Sequence, residues 1–345
     1  VDGSCVQHPG ERTQPVGAGL VAPTWKPDSQ AGMPEVEIII IGGGAAGLSA
    51  GIFASRLGLN TLLLERLMPG GQVINAEVIE DYPGFENPIS GAELVGKMQE
   101  QAMAVGTEIR LCEVTGISRI NNYWSVETYD GAGSSNCVII AGESTLRKLG
   151  VKGETKLEGS GVSYCATCDG AFFIGQQVCV IGGGDSALTE ALVLTEFASR
   201  IDVYCRENTL HGQQILQDRV TENDKITIHF NVEITEIHGD GMVESVSIRD
   251  IKSGETTRAD HQGVFIFAGL DPNTEYLSGL LNLDTGGHIE TDVTMRTHVA
   301  GILAAGDIRK DSASQLITSA GDGSTAALSA FRYIKTGDWG VFTQS

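Results

Sequence analysis

The clearest pattern along the chain is a pair of short apolar runs, each broken off by a glycine-rich turn. Residues 36–41, VEIIII, carry four consecutive isoleucines, the mark of a strand buried on both faces. The turn Gly42-Gly43-Gly44-Ala45-Ala46-Gly47 follows, then a helical stretch to Gly58, then NTLLLE, a second strand ending in Glu65. Strand, GxGxxG, helix, strand, acid is the order in which a parallel unit holds a dinucleotide. Gly42 permits the tight turn, and Gly44 lets backbone approach a pyrophosphate at the helix start. Gly47 allows close packing of helix on strand, and Glu65, 23 residues after Gly42, falls where a ribose hydroxyl would lie.

The unit recurs. Residues 177–187, QVCVIGGGDSA, repeat the strand and turn 140 residues later, with Gly182, Gly184 and Ala187 at the three positions. The counterpart of Glu65 is Cys205. Two such units predict an α/β chain that once held two dinucleotides; the second unit now either binds its own or serves as scaffold.

Composition sharpens this mainly by exclusion. A chain of 345 residues suggests two domains, or one inserted in another. Its formal net charge of −21 argues against nucleic acid and against anionic membrane surfaces. No run of 18 apolar residues appears, and the first residues lack the order of a signal peptide. Seven cysteines with one closely spaced pair do not make a secreted disulfide framework, so a cytoplasmic location is expected. Residues 1–34 are rich in Gly and Pro without periodicity and read as an arm, a linker or an appended segment. Met33 is a candidate natural start, and Trp25 a candidate anchor on a neighbouring subunit.

The chemistry lies between the two turns. In GVSYCATCDGAFF, residues 161–173, Cys165 and Cys168 form a CxxC pair followed at once by Asp169. That spacing suits a reversible disulfide. No second CxxC or Cys/His pair completes a zinc set, so no metal is expected. Asp169 offers an acid for a departing thiolate, or else simply forms a turn or caps a helix.

These motifs, with GGQ at 70–72, YPGF at 82–85, CATCDG at 165–170, GGGDSA at 182–187 and GILAAGDI at 301–308, resemble those of the low-molecular-weight thioredoxin reductases. The resemblance covers residues 36 to about 335. It implies two Rossmann-like, three-layer ββα domains. An FAD domain (35–142 and 271–335) is interrupted by a pyridine-nucleotide-like domain (143–270) that carries the CxxC, and residues 336–345 form a tail. By the same resemblance Gly42, Gly44, Gly47, Glu65, Gly70, Gly71, Gln72, Asp307 and Gln315 contact FAD. Cys168 faces the flavin, Cys165 exchanges with thioredoxin, and Asp169 is the acid/base. Family members are homodimers, and they swing the inserted domain so that nicotinamide and disulfide alternate at the flavin.

The stretch IDVYCRENTLHG, residues 201–212, departs from the pattern. NADPH-dependent members carry His-Arg-Arg, three residues, then Arg, to hold the 2′-phosphate; here the matching residues are Cys205, Arg206, Glu207 and His211. Two lost charged hydrogen bonds cost roughly 3–6 kcal/mol, two to four decades of affinity, and Glu207 adds repulsion. NADPH is therefore expected to bind poorly. The donors that remain are NADH, a second flavin, and reduced ferredoxin; the last is favoured because the stretch resembles ferredoxin-dependent flavin thioredoxin reductases, which lack the clamp. Ferredoxin is acidic, so docking needs a basic patch, for which Arg147, Lys148, Lys152 and Lys156, and Arg309 with Lys310, are candidates. Two smaller departures are Ala141-Gly142-Glu143 in place of Ala-Thr-Gly and the tail KTGDWGVFTQS, whose Trp339 or Phe342 could stack on the flavin. A non-catalytic flavin sensor is the alternative outside enzymes.

Overall fold

In the structure, a computed structural model that describes residues 35–142 and 144–342, the four isoleucines of Val36–Ile41 divide by side-chain alternation. Ile38 and Ile40 pack into a core with Leu48 and Ile52 of the helix Ala45–Arg56, while Ile39 and Ile41 join Trp124, Leu277 and Ile289 on the opposite face. Each buried isoleucine contributes about 1.5–3 kcal/mol, so this strand holds both layers to itself.

Parallel neighbours flank it, Thr61–Glu65 on one side and Gly131–Ile140 on the other, with Glu108–Leu111 beyond the first. The strand Gly131–Ile140 serves two partners along its length. Its first residues pair antiparallel with Tyr123–Thr128, which pairs in turn with Val114–Ile120. Its last three pair in parallel with Ile302–Ala304, a strand that arrives from near the end of the chain.

The second sheet is made by the intervening residues. Five parallel strands run in the order Ile226–Phe230, Arg200–Cys205, Gln177–Ile181, Gly263–Ile266, Val162–Ser163. Burial is again two-sided: Val178 and Val180 share a core with Ala187 and Ala191 of the helix Asp185–Leu194. Cys179 and Ile181 pack towards the antiparallel sheet Val232–His238, Ser245–Asp250, Thr256–Asp260. The two passages between the halves, Ser144–Leu146 and Leu270–Pro272, pair antiparallel as a short ribbon. This is the α/β architecture expected from the sequence, one Rossmann-like unit interrupted by another. The arm expected over residues 1–34 lies outside the described residues, and so does Glu143. Among the described residues no helix is long and apolar enough to cross a membrane.

The helix Ala45–Arg56 buries nine of its twelve residues, because its Ala, Gly and Ser leave room for backbone on both sides. Across it runs the long final helix Leu316–Thr336. Gly323 lets the two helices touch: a Cβ there would collide with the carbonyl oxygen of Ala46 and stand 3.0 Å from Ala50 N. Gly323→Ala should therefore destabilise the fold by about 1–3 kcal/mol or more. A melting temperature several degrees lower, read by circular dichroism, is the expected result; an unchanged melt would show that the crossing has slack.

Candidate active site

Three loops converge above the first turn. Gly42 has φ +100°, and a Cβ there would press into the Ala141 carbonyl; one at Gly47 would collide with Gly42 O. Gly44, by contrast, has nothing within 4 Å of where a Cβ would stand, so the turn is closed beneath and open above. Glu65, buried at the end of its strand, accepts the Gly43 N–H at 2.6 Å and the Leu67 N–H at 3.0 Å. Gly70 donates its N–H to Gly43 O at 2.8 Å and begins the short turn Gly71–Asn75, on which Gln72 is exposed. The third loop brings Gly306, whose missing side chain faces Ala46, and Asp307, which accepts from the hydroxyls of Ser312 (3.1 Å) and Ser319 (3.0 Å). Gln315 follows as the N-cap of the final helix, closed by a capping box with Thr318.

The second turn faces this assembly. Gly182 has φ +135°, and Gly184, like Gly44, is open above. The next residue, Asp185, accepts the Gln213 N–H at 2.6 Å and the Gln315 side-chain amide at 3.0 Å, so it joins the two halves. Gln213 also donates to Asp81 at 2.8 Å, and Arg219 pairs with Glu80 at 2.5 Å.

Cys165 and Cys168 are disulfide-bonded, with Cα atoms 5.3 Å apart. Cys165 caps the short helix Ala166–Asp169, its sulfur accepting the Cys168 N–H at 3.1 Å. Ser163 is buried just before the pair. Its hydroxyl donates to Asp169 Oδ2 at 2.6 Å and accepts the Cys165 N–H at 3.1 Å, so one strand end positions both sulfur and acid. Cys168 is exposed and Cys165 half-buried, with Phe172 and Ile174 exposed close by in sequence. On the inner side Glu190 accepts the Ala166 N–H at 2.6 Å.

Residues 36–323 match the family described as pyridine nucleotide-disulphide oxidoreductase. The chain is 42% identical over 302 residues to the thioredoxin reductase of Treponema pallidum, covering 88% of this chain and 98% of that protein. It is 43% identical over 300 residues to that of Bacillus subtilis, covering 87% and 95%. The chain belongs to the thioredoxin reductase family. A crystal structure of the Lactococcus lactis thioredoxin reductase, described as its FR conformation, matches with a TM-score of 0.85 at 42% identity over 87% of this chain and 99% of that one. The Streptococcus pyogenes enzyme, at 40% identity and 87% and 98% coverage, gives only 0.58.

The family binds FAD, and the open turn at Gly44, roofed by the Gly70 and Asp307 loops, fits a dinucleotide. Three expectations change with the geometry. Arg206, the surviving clamp arginine, is 3.4 Å from Glu233, which is also held by Arg249, so its charge is already met. The proposed basic patch is neutralised: Arg147 pairs with Asp271, Lys148 with Glu158, Lys152 with Glu236 and Lys156 with Asp240. Arg309 pairs with Asp322 and Lys310 with Glu290. Trp339 lies beyond the opposite end of the final helix from Gln315 of its own chain. Its ring packs edge-on against Tyr333 at 4.9 Å, its indole N–H donates to Thr297 O at 3.2 Å, and its carbonyl accepts from Arg296. The 21-residue final helix, about 31 Å long, separates it from Gln315. Sequence reasoning missed the roles of Ser163 and Asp185, although both lie inside quoted motifs (GVSYCATCDGAFF and GGGDSA), and missed Glu190, which lies outside them all; each acts through backbone or a distant segment.

Four further cysteines of the described residues, Cys112, Cys137, Cys179 and Cys205, are buried and unbridged. Burial pushes the thiols of Cys112 and Cys205 up to about 11, Cys205 further raised by Glu207, and those of Cys137 and Cys179 higher still. A raised pKa means the neutral thiol prevails below it, so at pH 8 roughly one in a thousand Cys205 groups is ionised. Ellman's reagent at pH 8 should therefore leave these four unlabelled in the folded, oxidised protein and label all of them in denaturant. Rapid native labelling of Cys205 would contradict this.

Proposed function

We propose that the chain reduces the disulfide of thioredoxin through Cys165 and Cys168, with FAD held by Gly42, Gly44, Gly47, Glu65, Gly70, Gly71, Gln72, Asp307 and Gln315. The observation that carries this reading is an accessible disulfide with an acid fixed beside it, Asp169 held by Ser163. Bound FAD would supply the two electrons that open the Cys165–Cys168 bond, and two protons complete the dithiol. Asp169 takes the proton of Cys165, whose thiolate attacks one sulfur of the partner's disulfide. A Cys165–partner bond forms, the partner's own S–S bond breaks, and its second sulfur leaves as a thiolate that Asp169 protonates. Cys168 then attacks the Cys165 sulfur, the mixed bond breaks, and the partner departs with two thiols. Phe172, 75% exposed, and Ile174 give the docking surface an apolar rim.

For the donor, the arrangement favours a nicotinamide nucleotide. The turn at Gly182 and Gly184 is open, and Asp185 behind it reaches Gln315. NADH is preferred to NADPH, since Glu207 and the engaged Arg206 oppose a 2′-phosphate. Reduced ferredoxin is the second reading, carried by the missing arginine clamp; it must dock where the lysines and arginines of 147–156 already have acidic partners. A cytoplasmic homodimer completes the proposal.

Anaerobic flavin absorbance, followed with NADH, NADPH or reduced ferredoxin and oxidised thioredoxin, tests it. Bleaching and turnover with NADH are expected. Bleaching by ferredoxin alone would transfer the donor role to it, and failure to reduce thioredoxin with every donor would sink the function. Asp169→Asn should slow turnover about 10²–10⁴-fold while leaving flavin reduction by the donor intact.

A further inference from the structure

Glu190 lies outside every motif of the family resemblance, yet its side chain meets the redox turn from within. It projects from the middle of the helix Asp185–Leu194 and accepts the N–H of Ala166, the residue joined to Cys165, at 2.6 Å; the Thr167 N–H also bonds to it. The backbone donors of this turn are thus divided. Two go to a carboxylate, and the Cys168 N–H alone goes to the Cys165 sulfur at 3.1 Å. A sulfur at the start of such a turn would otherwise draw on several N–H groups to support a thiolate.

Charge adds to this when Glu190 is ionised. Burial raises the Glu190 carboxyl from its ordinary value, as does Glu77 from the flavin half, while the two N–H bonds favour the ionised form. Elements packed against its helix offer no compensating cation among their described pairings. Asp169 is bonded by Ser163, Arg219 pairs with Glu80, Asp218 accepts from Gln214, and Arg200 pairs with Asp202.

We propose that Glu190 is a positioning residue that holds the CxxC turn by its backbone and restrains ionisation of Cys165, so that the reduced pair rests as neutral thiols. A carboxylate this close disfavours a second negative charge, and it removes two N–H donors that would have stabilised one. Because the thiolate form of the reduced state is disfavoured, the dithiol yields its electrons more readily. The inference rests on the reading that Cys165 and Cys168 exchange with a substrate disulfide, but its test does not use thioredoxin.

In FAD-loaded protein carrying Cys5→Ala and Cys168→Ser, Cys165 is the one thiol among the described residues that is not buried, and its rate of alkylation by iodoacetamide can be followed against pH. Adding Glu190→Gln keeps the size and one acceptor but removes the charge. The midpoint should fall by about one unit, which makes alkylation about tenfold faster below it. Coincident profiles would overturn the inference. Should Glu190→Gln fail to fold, Glu190→Asp, which withdraws the charge by one methylene, must shift the profile part-way in the same direction, and a coincident profile is again fatal. If the wild-type pair cannot be reduced and reoxidised at all, it is the exchange reading that fails.

Discussion

Where the final helix crosses the opening one, Gly323 lies against the carbonyl of Ala46 with no side chain between them. That contact sets the register of everything the final helix presents. Asp322, one residue earlier, takes both the Gly306 N–H and the Arg309 guanidinium, and Ser319 and Ser312 hold Asp307. Gln315, at the helix start, then reaches across to Asp185 of the other half. A single methyl at the crossing would displace the loop and helix start that close the dinucleotide cradle.

The inserted half uses the same turn for a different end. Its glycines make the same open cradle, but the acid that closes the first unit is replaced by Cys205, buried and donating to Gly182 O at 3.2 Å. Its exposed end carries Arg206 in a network with Glu233 and Arg249. At the CxxC turn the Cys165 N–H goes to Ser163 on the strand side and the Ala166 N–H to Glu190 on the helix side. Both are small local bonds in a partly buried setting, where a lost partner costs more than a bond gains.

Cations are scarce in a chain of net charge −21, and most of those near the interdomain passages are paired with acids. Docking of an acidic protein at residues 147–156 would therefore require breaking existing pairs. Such exposed pairs are individually weak, about 0–1 kcal/mol, but exchanging one acidic partner for another gains little.

Much of the architecture was legible in order along the chain. Four isoleucines before a GxGxxG turn dictate a strand buried on both faces, and the second copy of that turn 140 residues later dictates a second such unit. CATCDG announced the disulfide and its neighbouring acid, because spacing in a tight turn is a local property. What sequence could not supply were contacts between distant segments. Arg147 and the lysines of 148–156 read as a candidate patch until their acidic partners came in from residues 271, 236 and 240 as well as from nearby Glu158. Trp339 was a candidate to stack on the flavin; in the structure its ring packs against Tyr333, a 21-residue helix away from Gln315. Ser163 and Asp185 sit inside recognised motifs and Glu190 outside them, yet the role of each was hidden, since their work is done through hydrogen bonds to backbone or to another half. By itself the sequence determined periodicity, turn geometry and redox chemistry, all fixed by neighbours within a few residues. The tertiary structure alone decided which charges are paired, which ends of helices meet, and which backbone donors remain for the sulfur, because these depend on distances that only folding creates.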